Sequence, residues 1–263
     1  MLTRETIERA ARELGATVFG VGDLSAFSGE DPKRDPKMIC PKAQSIVGFG
    51  IPVPSGLYRT MKDGSQFYTY TTVGVKAIDE EYFEIFLFRM ASIIEDAGYD
   101  ACLQRTTPNL RVQGDKSANP ETIGVYELQY ASPVEPGKPP PDIMIDFGKA
   151  ARACGIGMAG RYGKVINREY GPFMRYAFIV TDAPLETNPP FEGDLCAGCD
   201  ACVKACDAGC IDASKGLDTW KCWEHYSKAR GYTLPRTQWG YQACLCGKKC
   251  DVACWERLTG KVL

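Results

Sequence analysis

Cys196-Ala-Gly-Cys199-Asp-Ala-Cys202-Val-Lys-Ala-Cys206 is the stretch on which the architecture turns. Three cysteines, each two residues from the next, can wrap three corners of a cubane iron–sulfur cluster. A fourth, three residues on, points toward a second cluster. Thiolates suit iron because they are soft and anionic. Further along, Cys222 stands alone, and Cys244-x-Cys246-x3-Cys250-x3-Cys254 follows. The economical assignment is two [4Fe–4S] clusters. Cys196, Cys199, Cys202 and Cys254 hold the first; Cys206, Cys222, Cys246 and Cys250 hold the second. Cys244 is an alternate to Cys246, and Cys210 is left over. Structural zinc prefers a closed four-ligand site and explains ten cysteines less well.

The whole chain has 263 residues, 13 Cys and one His, and ten of the cysteines lie between Cys196 and Cys254. Hydrophobic residues make up 44% and charged residues 24%, which excludes a disordered or collagen-like chain. No run approaches the ~20 apolar residues of a membrane-spanning helix, and the first residues lack the apolar stretch of a secretory signal. The expected location is therefore the cytoplasm, where clustered cysteines bind metal more often than they form disulfides. A net charge of −2 and a pI of about 5.7 argue against a general nucleic-acid binder. Cys40, Cys102 and Cys154 read as ordinary buried residues. His225, the only histidine, lies inside the cysteine-rich stretch. Residues before it offer no imidazole as general base or metal ligand, which leaves carboxylates, Tyr, Lys and Cys for acid–base work.

Upstream, helix-like and strand-like segments alternate. Ile7, Ala10, Ala11 and Leu14 have helical spacing between a Thr3 cap and a Gly15 stop. Residues 17–21, 45–49, 99–103 and 178–180 read as strands. A helix is predicted over 78–97, with Tyr82, Ile85, Phe86, Ile93 and Ile94 facing inward, and another over 147–154. This alternation predicts an α/β layered domain over residues 1–190, followed by a small ferredoxin-like domain with two [4Fe–4S] clusters over 191–263. Asp207 stands where bacterial ferredoxins carry Pro. Pro133 to Pro141 form a rigid stretch, read as a surface loop or the wall of a pocket. Gly155-Ile-Gly157-Met-Ala-Gly160 matches a dinucleotide fingerprint only superficially, because a helix rather than a strand precedes it. Gly155 reads instead as a helix C-cap, and the run as a place for close backbone approach to some other large cofactor.

The run Ala151 to Arg161, then Glu169-Tyr170-Gly171-Pro172, then Val180-Thr-Asp-Ala-Pro-Leu-Glu186, resembles epoxyqueuosine reductases and, more distantly, reductive dehalogenases. The likeness is specific from about Ala150 to Cys254 and looser before it. It implies a nitroreductase-like, corrinoid-binding α/β domain, with clusters that pass electrons to base-off cobalamin. It also implies that Gly155, Gly157, Gly160 and Arg161 lie against that cofactor. Departures are visible. Arg161 replaces the family's Lys and Tyr162 its Asn, and the acidic proton-donor motif before the glycine run is absent, Asp142 being nearest in spacing.

The resulting expectation is an iron–sulfur reductase that relays electrons through two clusters to a corrinoid and reduces a small molecule. Tyr68, Tyr70, Arg105, Asp142 and Asp146 are its candidates for proton delivery or substrate contact. Expected partners are a ferredoxin- or flavodoxin-type electron donor and a small-molecule substrate. Neither tRNA nor a membrane is expected, the chain ending where a tRNA-handling extension would begin. The alternative is a ferredoxin-type electron-transfer protein without catalysis of its own.

Overall fold

A computed structural model of the chain describes residues 2–66, 69–104, 112–113, 128–129, 135–137, 143–218, 221–222, 225 and 246–263. It opens with α1 (Arg4–Glu13), β1 (Val18–Asp23), α2 (Pro36–Ile39), β2 (Ser45–Pro52) and α3 (Ser55–Asp63). A helical run with wide, π-type turns (Tyr70–Tyr82) continues into α4 (Phe83–Glu95). Then come β3 (Ala101–Gln104), β4 (Val112–Gln113), β5 (Leu128–Gln129), α5 (Phe147–Ala153), β6 (Met158–Ala159), β7 (Val165–Ile166) and β8 (Met174–Thr181). The last elements are α6 (Ala201–Lys204), β9 (Ile211–Asp212), β10 (Gly216–Leu217) and α7 (Lys249–Thr259).

The central sheet has the order β1-β2-β8-β3, with every neighbouring pair antiparallel. Alternation along the strands gives it two apolar faces. Val47, Phe49, Ala177 and Ile179 join Ile7 of α1 and Phe86, Met90 and Ile94 of α4 in one buried cluster. Ile46, Met174, Tyr176, Phe178 and Val180 face the other way and pack under Ala150, Ala151 and Cys154 at α5. The result is the expected α/β layering, helices on both sides of one sheet. Its register sets Phe49 opposite Phe19 and Ala177, and Phe86 meets the Phe49 ring edge-on at 5.0 Å. Among the described residues no helix is long and apolar enough to cross a membrane.

Thr3 caps α1 as its sequence indicates, accepting from the Thr6 amide. The α4 inner face differs from expectation. Phe83, Phe86, Leu87, Met90 and Ile94 are buried, whereas Ile85 is 62% and Tyr82 40% exposed. The buried residues form an i, i+3, i+4 stripe that passes beside position 85. Strand β8 begins at Met174, four residues before the predicted 178–180 core, and carries Arg175 within it. That charge is tolerated because Asp79, from the wide-turned helix, meets it with a bidentate ion pair. Of the proline-rich stretch only residues 135–137 fall among those described, and they are exposed.

Helix α7 returns to the first half of the chain. Val252 and Trp255 pack with Val53, Tyr58, Met61 and Phe173. Phe173 is sandwiched, its ring 3.6 Å from Tyr58 and 5.0 Å from Trp255, nearly parallel to both. The helix carrying Cys250 and Cys254 is thereby anchored to the sheet domain.

Candidate functional site

The cysteine loop is ordered by local hydrogen bonds. Asp194 Oδ1 accepts from the Cys196 amide at 2.8 Å, and the Cys199 amide donates to the Cys196 carbonyl at 3.1 Å. Arg161 reaches over from the β6–β7 hairpin. Its guanidinium donates to the carbonyls of Cys196 (3.2 Å), Cys199 (3.1 Å) and Ala213. Asp207, in place of the ferredoxin proline, pairs with Lys249 and so ties the loop to the start of α7.

The thiols fall into two neighbourhoods. Burial pushes the Cys202 thiol up, and the nearby Cys196 and Cys199 add to the rise. Burial likewise pushes Cys254 up to about 12, helped by Asp251, Cys202 and Cys196. The second neighbourhood surrounds a cavity of about 190 Å³ whose walls include Cys206, Cys210, Cys222, Cys246 and Cys250. There the Cys210 amide donates to Cys206 Sγ at 3.2 Å. Burial pushes Cys210 up to about 12 and Cys250 well above the ordinary thiol value. His225 lines the same cavity. Among the described residues no three His, Cys, Asp or Glu side chains converge closely enough to chelate one ion, and no two described cysteines form a disulfide. A cubane takes one thiolate at each of four corners, so its ligands stand around a cavity rather than at a point. Soft donors around a cavity fit a cluster better than a single zinc ion. Cys244 lies outside the described residues.

A buried polar group borders this cavity. Lys164 donates to Asp251 Oδ2 at 2.8 Å and to Tyr58 Oη at 3.2 Å. Burial works to raise the Asp251 carboxyl, but Lys164 and Lys248 beside it hold it below its ordinary value. Burial works against the Lys164 charge, yet Asp251 lifts its ammonium above the usual range. Tyr162 is buried beside Asp251, Cys254 and Cys250, which with burial push its phenol up; its hydroxyl makes no hydrogen bond of ordinary geometry.

On the other side of Lys164 opens a cleft of about 500 Å³. Ile145, Phe147, Met174 and Tyr176 give it apolar walls, and Arg34, Lys164 and Arg175 bring cations to it. Asp146 is at its edge, where it caps α5 through the Lys149 amide (2.9 Å) and pairs with Arg34 at 3.5 Å. Tyr70 is buried against Tyr58 rather than facing the cleft. Tyr68, Arg105 and Asp142 lie outside the described residues.

The glycine run serves the chain's own packing. Gly155 has φ +71° and follows α5 as the C-cap reading requires. At Gly157 a Cβ would stand 2.7 Å from the Ile166 carbonyl oxygen, and at Gly160 3.1 Å from that of Lys164. Ala159 and Gly163 line the cleft, whereas Gly157 and Gly160 do not. Lys164, Asp251 and Tyr58 have no counterpart among the residues that the sequence singles out, and Tyr162 stands there only as a departure from the resembled family. The only signals were a lysine closing the glycine run and an acid next to Cys250.

No protein-family profile matches the chain. Similar curated proteins are epoxyqueuosine reductases. That of Bacillus subtilis (strain 168) is 26% identical over 242 residues, covering 89% of this chain and 53% of the relative. That of Lactococcus garvieae is 23% identical over 212 residues, covering 80% and 51%. The chain thus spans about half the length of these relatives. Its backbone superposes on epoxyqueuosine reductase from Bacillus subtilis with a TM-score of 0.60 at 20% identity, covering 98% of this chain and 66% of the other. For the enzyme from Streptococcus thermophilus the TM-score is 0.59 at 17% identity, with 100% and 67% covered. A reductive dehalogenase described in terms of B12-dependent dehalogenation gives 0.57 at 16%, with 97% and 35% covered. The chain thus shares the fold of the epoxyqueuosine reductases and reductive dehalogenases. Its likeness to them runs through the sheet and on through the cysteine-rich region, so the cavity and the cleft both fall within the shared fold.

Proposed function

We propose that the chain is an iron–sulfur reductase. It takes electrons from a ferredoxin- or flavodoxin-type donor through two [4Fe–4S] clusters and delivers them to a corrinoid for reduction of a small molecule. The observation that carries this is adjacency: a thiol-walled cavity and a cleft of about 500 Å³ meet at one residue, Lys164. The similarity to epoxyqueuosine reductases and to a B12-dependent dehalogenase supports the corrinoid.

In this scheme Cys196, Cys199, Cys202 and Cys254 hold one cluster, and Cys206, Cys222, Cys246 (or Cys244) and Cys250 hold the other. The raised thiols of Cys202, Cys250 and Cys254 lose protons as iron binds, so assembly is favoured at higher pH. Arg161 fixes the first loop through its carbonyls, leaving the sulfurs free to ligate. The cleft's apolar walls exclude water from the reacting face, and Arg34 and Arg175, each aligned by a carboxylate, orient a polar substrate edge. The bound clusters supply single electrons, and the bound corrinoid supplies a strongly reducing centre. His225, the one histidine of the sequence, lies on the cluster cavity.

An anaerobic preparation incubated with cobalamin and assayed for iron, sulfide and cobalt tests the scheme. The expected result is about eight iron and eight sulfide per chain, with cobalt retained after gel filtration. Full iron without cobalt would favour an electron carrier lacking its own catalysis. Zinc in place of iron would overturn both.

A further inference from the structure

We infer that Lys164 and Asp251 are positioning residues that balance the charge beside the cluster site walled by Cys206, Cys222, Cys246 and Cys250, each offsetting the other's effect on its reduction potential. The inference rests on the cluster reading above and adds to it a residue pair with a defined electrostatic job.

The geometry is specific. Lys164 lines both the thiol cavity and the cleft, and Asp251 lines the cavity. Their side chains are 18% and 1% exposed, so solvent screens them little. Asp251 directly follows Cys250, one of the proposed ligands. Lys164 is held on a third side by Tyr58 Oη at 3.2 Å, and its ammonium stands 5.7 Å from the Tyr58 ring centre. Tyr58 is itself stacked on Phe173. The ammonium is therefore fixed in place and has little freedom to reorganise when charge arrives. The other cations on the cavity are Lys248, which lies over the Tyr70 ring, and Lys249, which pairs with Asp207.

Reduction moves one electron from a ferredoxin- or flavodoxin-class donor onto the cluster, which becomes one unit more negative; the donor is oxidised by the same electron. A fixed cation at the wall stabilises the reduced form, and a fixed anion destabilises it. Intact, the pair nearly cancels at a distance. Removing either member exposes the other, so the two single variants must act with opposite sign.

The test is an EPR-monitored redox titration of the anaerobically loaded chain, with iron and sulfide counted in each sample. K164Q is expected to lower the midpoint of one cluster and D251N to raise it. Each should shift the equilibrium with a one-electron donor by about tenfold, which is about 59 mV. K164R and the double variant K164Q/D251N are expected near the wild-type value. Unchanged midpoints, or shifts of the same sign in both single variants, would overturn the inference. Loss of iron from a single variant would make the pair a fold element and overturn it as well. If the wild-type chain itself binds no iron, the cluster reading has failed, which is a distinguishable result.

Discussion

Phe173 is the residue through which the cysteine-bearing helix leans on the sheet domain, and its replacement by alanine should be felt in both. Its side chain is 2% exposed and lies between the parallel rings of Tyr58 at 3.6 Å and Trp255 at 5.0 Å. Truncating a buried phenylalanine typically costs about 3–5 kcal/mol, the upper end applying where the site cannot collapse. Collapse is hindered here because Tyr58 is tethered by Lys164 and Trp255 sits on a helix capped at Gly260. Two stacked pairs, each worth about 0.5–1.5 kcal/mol, are lost as well and fall within that total. The expected loss is therefore about 4–5 kcal/mol. At about 2–4 °C per kcal/mol for a domain of this size, thermal unfolding followed by circular dichroism should fall by about 8–20 °C. F173L keeps most of the volume and loses the stacking, so it should cost about 1–3 kcal/mol. F88A is the control: Phe88 is 69% exposed on α4, and its loss should stay within about 0.5 kcal/mol. If F173A melts within about 2 °C of the wild type, the anchoring role assigned to the Tyr58–Phe173–Trp255 stack is wrong.

Three further outcomes can be checked. G157A places a Cβ 2.7 Å from the Ile166 carbonyl and should lower the melting temperature even with no cofactor added. G56A meets nothing within 4 Å in α3 and should be neutral or gain about 0.4–1 kcal/mol; equal melting of the two would return the glycine run to a cofactor role. Ser45 is buried, its hydroxyl donating to the Ala183 carbonyl at 2.8 Å and accepting from the Leu185 amide at 3.3 Å, so S45A should cost about 1–3 kcal/mol in a denaturant titration. The Lys164–Asp251 pair should also show in the pH dependence of unfolding. The Asp251 carboxyl is held below its ordinary value, so its stabilisation is complete above ~3.9 and fades as pH falls through the lowered folded value. Lys164 is raised, so its share is complete below ~10.4 and fades as pH rises through the raised folded value. The stability gap between wild type and D251N should accordingly shrink at acid pH, and a gap constant from about pH 6 to 2 would contradict the pairing.

The layered fold was legible where apolar runs are continuous and bounded by turns, as at Ser45–Pro52 and along α1. It was less so where a strand carries a charge. Arg175 hides the first half of β8, because its partner Asp79 is 96 residues away and no local pattern announces it. The inner face of α4 was misplaced for a different reason. Phe83, Ile85, Phe86, Leu87 and Phe88 are consecutive or nearly so, and a helix apolar on most of its circumference does not say which stripe will meet the sheet. The cysteine spacing was readable because Cys196, Cys199, Cys202 and Cys206 lie within one short stretch of sequence. The Lys164–Asp251 pair joins residues 87 apart and was not.

The glycine run gains a physical meaning once those distant partners are known. It opens the β6–β7 hairpin, which closes through Gly160 and Lys164 at 2.7 Å and Gly163 and Gly160 at 2.9 Å. From that short hairpin Arg161 reaches the carbonyls of the cysteine loop, Tyr162 lies among the thiols, and Gly163 and Lys164 face the cleft. Successive residues of one turn thus touch the first thiol group, the second cavity and the open cleft in order. Such a turn must be tight and must lie flat against Ile166, which is why small residues recur there. A motif that resembles a nucleotide fingerprint in sequence is, in three dimensions, the joint through which the cysteine-rich region and the cleft are held in register.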